Sequence, residues 1–355
     1  MQEALKPWQI GPFTRPFNEP IIRPTEEAEF ECPMRGQPVR WARNHIFNPA
    51  AVVLEDEVHL LVRAEDGEGD HIGQYTSRIG DAVSADGLTF QLRPRPVVYP
   101  DQDEWVGEEW YGGCEDPRVV EGPDGDFAIY YTMYNRGNPK EYPKNAVLGV
   151  ATSRDLVHWK KHGPIFSQAG GLEEWHKAAG VVQEVKDGRL VAAKIDGKFW
   201  MYWGEDAVRL ATSTDLIHWT PVRTADGKLL TVVSPRKGYF DSIFTEVGPP
   251  PVLTEHGIVL IYNGKNCAKD GDRSIGGGAY AAGQLLFDRN DPTKVLDRLD
   301  TPFLKPELPF ERTGQYPEGT VFVEGLVLFK GKWFLYYGTA DTYIGVATAP
   351  GLAPA

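Results

Sequence analysis

The chain has 355 residues, with 37 Lys+Arg against 50 Asp+Glu and a formal net charge of −13. That surplus argues against nucleic acid or another long polyanion as a partner, leaves a neutral carbohydrate indifferent, and would oblige any phosphate co-substrate to find a local cationic pocket. With 38 Gly and 28 Pro the chain must turn often, and 10 Trp, 15 Tyr and 16 Phe give an aromatic load suited to sheet packing and to stacking on sugar rings.

In chain order, the start MQEALKPWQIGPF shows no basic region followed by an apolar run, so no secretory leader is expected. Residues 1–40, rich in Pro and charge, are expected to form an arm packed on the main body. Cys32, Cys114 and Cys267 lie far apart without metal-ligand spacing. A sparse, odd set slightly favours a reducing, cytoplasmic setting over a disulfide framework, and the compartment stays open. No apolar stretch approaches the ~20 residues that cross a bilayer.

The body of the chain is a degenerate repeat. GVATSRDLVHW (Gly149–Trp159) and RLATSTDLIHW (Arg209–Trp219) place their tryptophans sixty residues apart. TSRIGDAVSADGLTF, ending at Phe90, is a more divergent copy, and IGVATAP near Val346 is a truncated one. The copies are associated with five aromatic-rich apolar strands: His59–Asp66, Phe127–Tyr134, Phe199–Asp206, Ile258–Lys265 and Trp333–Asp341. Five such units, with turn signals and no long helical period, predict an all-β, five-bladed β-propeller with its active site at the central channel, formed by residues 1–355 as a single domain. Ser and Asp of the repeat suit a turn, and Leu and Trp suit packing. His158 and His218, at one repeat position, are therefore read as structural, as are Trp159 and Trp219.

Charges that interrupt the apolar runs point to the channel: Glu65/Asp66, Asp116, Glu205/Asp206, Glu246 and Asp341. Each has an ordinary alternative. Asp116 could be a turn acid beside Arg118, and Glu246 a solvated residue. Two or three carboxylates converging on an aromatic-lined channel would suit glycoside hydrolysis: one acid protonates the leaving oxygen, and one carboxylate deprotonates water. GDRSIGGGAY lacks the GK[ST] of a phosphate loop, DGEGD lacks a full calcium ligand set, and no cofactor or metal is expected.

NPAAV (Asn48–Val52), RAED (Arg63–Asp66), TSRIG with a following S-x-DG (Thr76–Gly87), EDPRV (Glu115–Val119), GPPP (Gly248–Pro251) and YYGTADT (Tyr336–Thr342) occur in consistent order from about Phe47 to Ala349. Together they resemble glycoside hydrolase family 130. The resemblance implies a five-bladed propeller acting on β-mannosides with inversion, by phosphorolysis in most members and by hydrolysis of β-1,2-mannosides in a smaller group. It implies that Asp116 is the general acid, working through a hydroxyl of the bound mannose, and that Asn48, Arg63, Asp66, Arg78, Lys194 and Asp341 hold the sugar. The chain departs from phosphorylase-like patterns at YWGE, TEVG and YNG, where Glu205 and Glu246 stand in place of a basic residue and a glycine-rich stretch, and Asn263 in place of a histidine. Carboxylates repel phosphate and can activate water.

The expected function is an inverting exo-acting β-mannosidase for β-1,2-linked mannosides, with Asp116, Glu205 and Glu246 catalytic. Two rivals stand: a phosphorylase releasing mannose 1-phosphate, with inorganic phosphate as co-substrate and cations drawn from Arg136, Lys144, Lys177, Arg236 and Lys237; and a propeller that binds glycans without cleaving them. The partner is a mannose-containing oligosaccharide or glycan, and homo-oligomerisation is left open. Trp105, Trp110, Tyr111 and Trp175 are candidates for an aglycone subsite or for covering an apolar edge.

Overall fold

The computed structural model describes residues 5–67, 69, 72–136, 145–172 and 175–351. The architecture is all-β; the longest described helices are four residues, Val106–Glu109 and the 3-10 turn Pro309–Arg312. Antiparallel meanders follow one another along the chain. The first comprises His45–Leu54, Glu57–Glu65, Ser77–Ser84 and Gln91–Leu92. The second comprises Gly113–Glu121, Phe127–Asn135, Asn145–Ser153 and Lys160–Pro164. The third comprises Ala179–Val181, Lys198–Trp203, Val208–Ser213 and Thr220–Pro221. In the fourth, Phe244–Val247 and Val252–Thr254 both pair with Gly257–Lys265, which pairs with Tyr280–Phe287 and so to Val295–Arg298. The fifth comprises Phe322–Phe329, Lys332–Thr339 and Tyr343–Pro350.

Each aromatic-rich run expected from the sequence is the second strand of its unit, except in the fourth, where Gly257–Lys265 follows two short strands that both pair with it. Those runs lack alternation because both faces are covered: Phe127–Asn135 is buried throughout. Short parallel contacts such as Ser77 with Gly113, together with the hairpin Gln183–Lys186/Arg189–Ala192, join three units into one 15-stranded sheet, and no sheet closes on itself among the described residues. Side-chain packing is different. Five apolar clusters each lie between two units, and one of them joins Val327, Phe334 and Tyr336 of the fifth to Ile46, Val58 and Leu60 of the first.

The repeat motif caps the third strand of the first three units. Ser153 Oγ accepts the N–H groups of Asp155 and Leu156, and Asp155 Oδ1 accepts those of Val157 and His158. Ser84/Asp86 and Ser213/Asp215 repeat the arrangement. His158 and His218 sit outside, each with Nδ1 against the aspartate of its own turn, while Trp219 is buried against Tyr130. The N-terminal arm runs along the fifth unit: Thr14 and Ile22 bridge to Thr348 and Ile344, and Arg15 donates to the buried Glu311 at 2.7 and 3.1 Å.

Candidate active site

Asn48 and Asp116 each lie in a β-bulge of the first strand of their unit, just before a proline. Both take left-handed backbone, with φ of 46°. Asn and Asp tolerate that region better than other non-glycine residues, and the bulge re-aims the side chain out of the pleat. Asp341, at φ 49°, follows the second strand of the fifth unit, and Ala178, at φ 56°, places Lys177 ahead of the first strand of the third. Gly338 permits the close approach, since a Cβ there would stand 2.0 Å from Asn48 Oδ1.

These residues meet in a cavity of about 320 Å³ lined by Asn48, Arg63, Asp116, Glu205, Glu246 and Asp341. Asn48 Nδ2 and Arg63 Nη1 donate to Asp116 Oδ1 at 2.8 and 2.9 Å. Arg63 Nη2 also donates to Glu65 at 2.7 Å and Glu115 at 2.9 Å, and the guanidinium lies over Phe47. Lys177 Nζ stands 3.8 Å from Asp116 Oδ2, 3.6 Å from Glu205 Oε1 and 4.0 Å from Glu246 Oε1. Carboxylate oxygens on either side of that ammonium are therefore within about 8 Å of each other, a limit that reaches into the ~6.5–9.5 Å range of an inverting pair. Among the described residues, Asn48 Oδ1, Glu246 Oε1 and Gln315 Oε1 are buried without a hydrogen-bond donor, as acceptors awaiting hydroxyl groups would be.

Three of the six expected sugar-holding residues, Asn48, Arg63 and Asp341, line the cavity. Asp66 and Arg78 pair with each other at 2.9 Å, both buried, with Arg35 also on Asp66. They are not among the residues that line the cavity. Lys194 is a correction: it is exposed on the short strand Lys194–Ile195, its ammonium 4.7 Å from the Phe199 ring centroid. The lysine in the cavity is Lys177. Of the other spare cations, Arg236 is bound to Asp241 and Asp300, Lys237 lies near Asp270, Arg136 lies over Tyr111, and Lys144 falls outside the described residues. Asp206 pairs with Arg209 rather than entering the cavity. Glu115, Tyr280, Gln315 and Tyr316 line the cavity without having been singled out. Glu115 alone carried a signal, as the neighbour of Asp116. Of the loop aromatics only Trp175 reaches the cavity; Trp110 packs by Arg35 and Trp105 under Gly163.

Burial works to raise Asp116, but Arg63, then Lys177 and Arg118, overcome it and hold the carboxyl well below the usual range. Burial raises Glu115 and Asp341 to about 7 each against the pull of Arg63. Burial, with Glu205 adding to it and Lys177 opposing, pushes Glu246 up to about 8. At neutral pH the pocket thus holds an ionised Asp116 and a protonated Glu246. An acid role for Asp116 therefore requires the carboxylate to take up a proton from solvent as the substrate binds; a sugar hydroxyl can then relay that proton but cannot supply it.

Glu246 keeps its proton to about pH 8 when folded, and unfolded glutamate releases it near ~4.3. The folded state therefore binds more protons in between, and stability falls as pH rises through that window, levelling above it. Glu246→Gln is expected to raise Tm by about 2–5 °C at pH 8 and by clearly less at pH 5. Thermal unfolding at the two pH values checks this, and equal shifts would contradict a protonated Glu246.

A strut ties the acid to the glutamates. Arg118, fully buried two residues after Asp116, donates to the Asp116, Val247 and Gly248 carbonyls and pairs with Glu324 at 2.9 Å.

Residues 14–351 match the family described as β-1,4-mannooligosaccharide phosphorylase, glycoside hydrolase family 130. A 1,2-β-oligomannan phosphorylase of Thermoanaerobacter is 31% identical over 332 residues, 93% of this chain and 94% of that protein. The solved structure of a putative glycosidase from Bacteroides thetaiotaomicron is 49% identical with a TM-score of 0.92, covering 96% of this chain and 97% of that one. Another solved structure, reported with the statement that this family of mannoside phosphorylases contains glycoside hydrolases targeting β-1,2 mannosidic linkages in Candida mannan, is 47% identical with a TM-score of 0.94, covering 99% and 97%.

Proposed function

The chain belongs to glycoside hydrolase family 130, a family of enzymes that act on mannosides, and from that premise we propose that it is an inverting exo-β-mannosidase that hydrolyses β-1,2-linked mannosides. The observation that carries this reading is the gathering of Glu205, Glu246 and Asp116 within 4.0 Å of the one Lys177 ammonium. Arg63 and Lys177 are the only cations among the described lining residues, and each already faces several carboxylates. A phosphate dianion would meet the Glu205 side chain there, beside a Lys177 ammonium already shared among carboxyl groups, whereas water finds a base. No resident cofactor or metal enters the reading.

In the proposed reaction the terminal mannose sits among Asn48, Arg63 and Asp341. Asp116 delivers a proton towards the glycosidic oxygen through a sugar hydroxyl, and Glu205 takes a proton from the attacking water. Glu246, carrying its own proton, orients that water as a hydrogen-bond donor. The single domain, arranged as a five-bladed propeller with this pocket at its axis, is part of the same proposal. Five meanders packed unit against unit, the fifth on the first, support it.

Phosphorolysis is the second reading, and the names of the curated relatives fit it better: four, at 27–31% identity, are mannoside phosphorylases. Time-resolved NMR of β-1,2-mannobiose digestion without phosphate tests the proposal. Free α-mannose is expected as the first product released from the non-reducing end; β-mannose appearing first would contradict inversion.

A further inference from the structure

We propose that a second cavity beside Glu205 is the inlet through which the attacking water reaches the anomeric carbon, separate from the pocket that takes the sugar. This rests on the hydrolytic reading. The second cavity holds about 210 Å³ and shares Ala146, Trp175, Lys177 and Glu205 with the first. The division of residues is informative. Asn48, Arg63, Asp116 and Asp341 line only the first cavity, while His176, Trp203, Asp206 and Arg209 line only the second. Glu205, with 35% of its side chain exposed, stands at the junction.

The chemistry of the second cavity suits water. Trp203 Nε1 is buried without a hydrogen-bond acceptor among the described residues, although its ring is 2% exposed. His176 accepts the Leu148 N–H at Nδ1, and burial holds the ring neutral with its pKa lowered to about 4, so the proton of that ring is on Nε2. The lining residues His176 and Trp203, each carrying a neutral N–H, the Lys177 ammonium and the Arg209 guanidinium paired with Asp206 therefore surround a space that ends on the Glu205 carboxyl group. A buried water needs two to four polar partners and occupies ~30 Å³, so several fit. Trp175, 56% exposed, lines both cavities and can separate their mouths.

The need for an inlet follows from the first cavity's size. Once the terminal mannose and the sugar it is linked to occupy it, water from that mouth must pass the substrate, whereas inversion needs water on the face opposite the acid. The side cavity supplies that face by way of Glu205. The C1–O bond to the aglycone breaks as the C1–O bond to water forms; Glu205 takes the water's proton and the aglycone oxygen receives one from the acid side.

The test uses Leu172, which lines only the second cavity and is half-buried. Leu172→Trp, which fills the inlet, should lower kcat on β-1,2-mannobiose on the order of tenfold with KM and inhibition by mannose within about twofold of wild type. Leu172→Ala should keep kcat at or above wild type, and Trp203→Phe, which deletes the N–H donor, should lower kcat without moving KM. A raised KM with unchanged kcat in Leu172→Trp would make the cavity an aglycone subsite and overturn the proposal. So would an unchanged kcat, or an equal loss in Leu172→Ala. If the wild type releases only mannose 1-phosphate, the hydrolytic reading falls on its own. The water inlet falls with it, and the Leu172→Trp kcat then reports on phosphate entry instead.

Discussion

Asp116→Asn is expected to lower kcat on β-1,2-mannobiose by about 10³-fold, within the range for loss of general acid catalysis, with a much smaller change in KM. The side chain is the focus of the pocket, bonded by Asn48 and Arg63 on one oxygen and faced by Lys177 on the other. Asparagine keeps the shape and leaves Arg63 its bonds to Glu65 and Glu115, so the loss reports proton delivery rather than collapse. A second substrate makes the assignment specific. An aryl β-mannoside with a nitrophenolate leaving group needs no proton, and the same variant should lose only about tenfold or less on it. An equal loss on both substrates would move Asp116 from acid to sugar binder. In that case Glu115 and Asp341, whose carboxyls are raised to about 7, are the groups that hold a proton at neutral pH.

Glu205→Gln is expected to cost about 10³-fold in kcat on both substrates, because activation of water is needed whatever the leaving group. Glu246→Gln should cost only about tenfold, since an amide still donates the hydrogen bond that a protonated Glu246 supplies. The ranking follows from burial: Glu246 is 1% exposed and holds its proton, whereas Glu205 opens on the second cavity. Steady-state kinetics of the two variants on mannobiose and the aryl mannoside decide it. The reverse ranking would place the base at Glu246.

Much of this was legible in the sequence because the repeat punctuates itself. The S-x-D turn recurs where backbone N–H groups need acceptors, and the central strands are rich in apolar and aromatic residues because most of their positions are covered, as along Phe127–Asn135. Asp116, Glu205 and Glu246 stood out as charges where an apolar run or a rigid proline stretch made a charge unexpected, and the structure brings all three onto one cavity. Lys177 was harder to place. WHKAAG looks like ordinary loop sequence, and only the left-handed Ala178 and the fold around it bring the ammonium among three carboxylates. Lys194 was matched to sugar binding by the family resemblance alone, and the structure places it exposed on the short strand Lys194–Ile195, away from the cavity. Asp66 and Arg78 were matched by motif to sugar binding, yet they satisfy one another outside the cavity lining, a pairing 12 residues apart that no periodicity announces. The protonation pattern was legible only in outline. Adjacent carboxylates imply that one is raised, but burial decides that it is Glu246.

The most direct test of the account is the digestion of β-1,2-mannobiose by the wild-type enzyme with and without inorganic phosphate, with mannose and mannose 1-phosphate both quantified. The account predicts free mannose at the same rate in either condition and no mannose 1-phosphate. Mannose 1-phosphate formed only when phosphate is present would contradict it, and would mean that Lys177 serves phosphate in spite of Glu205 and Glu246.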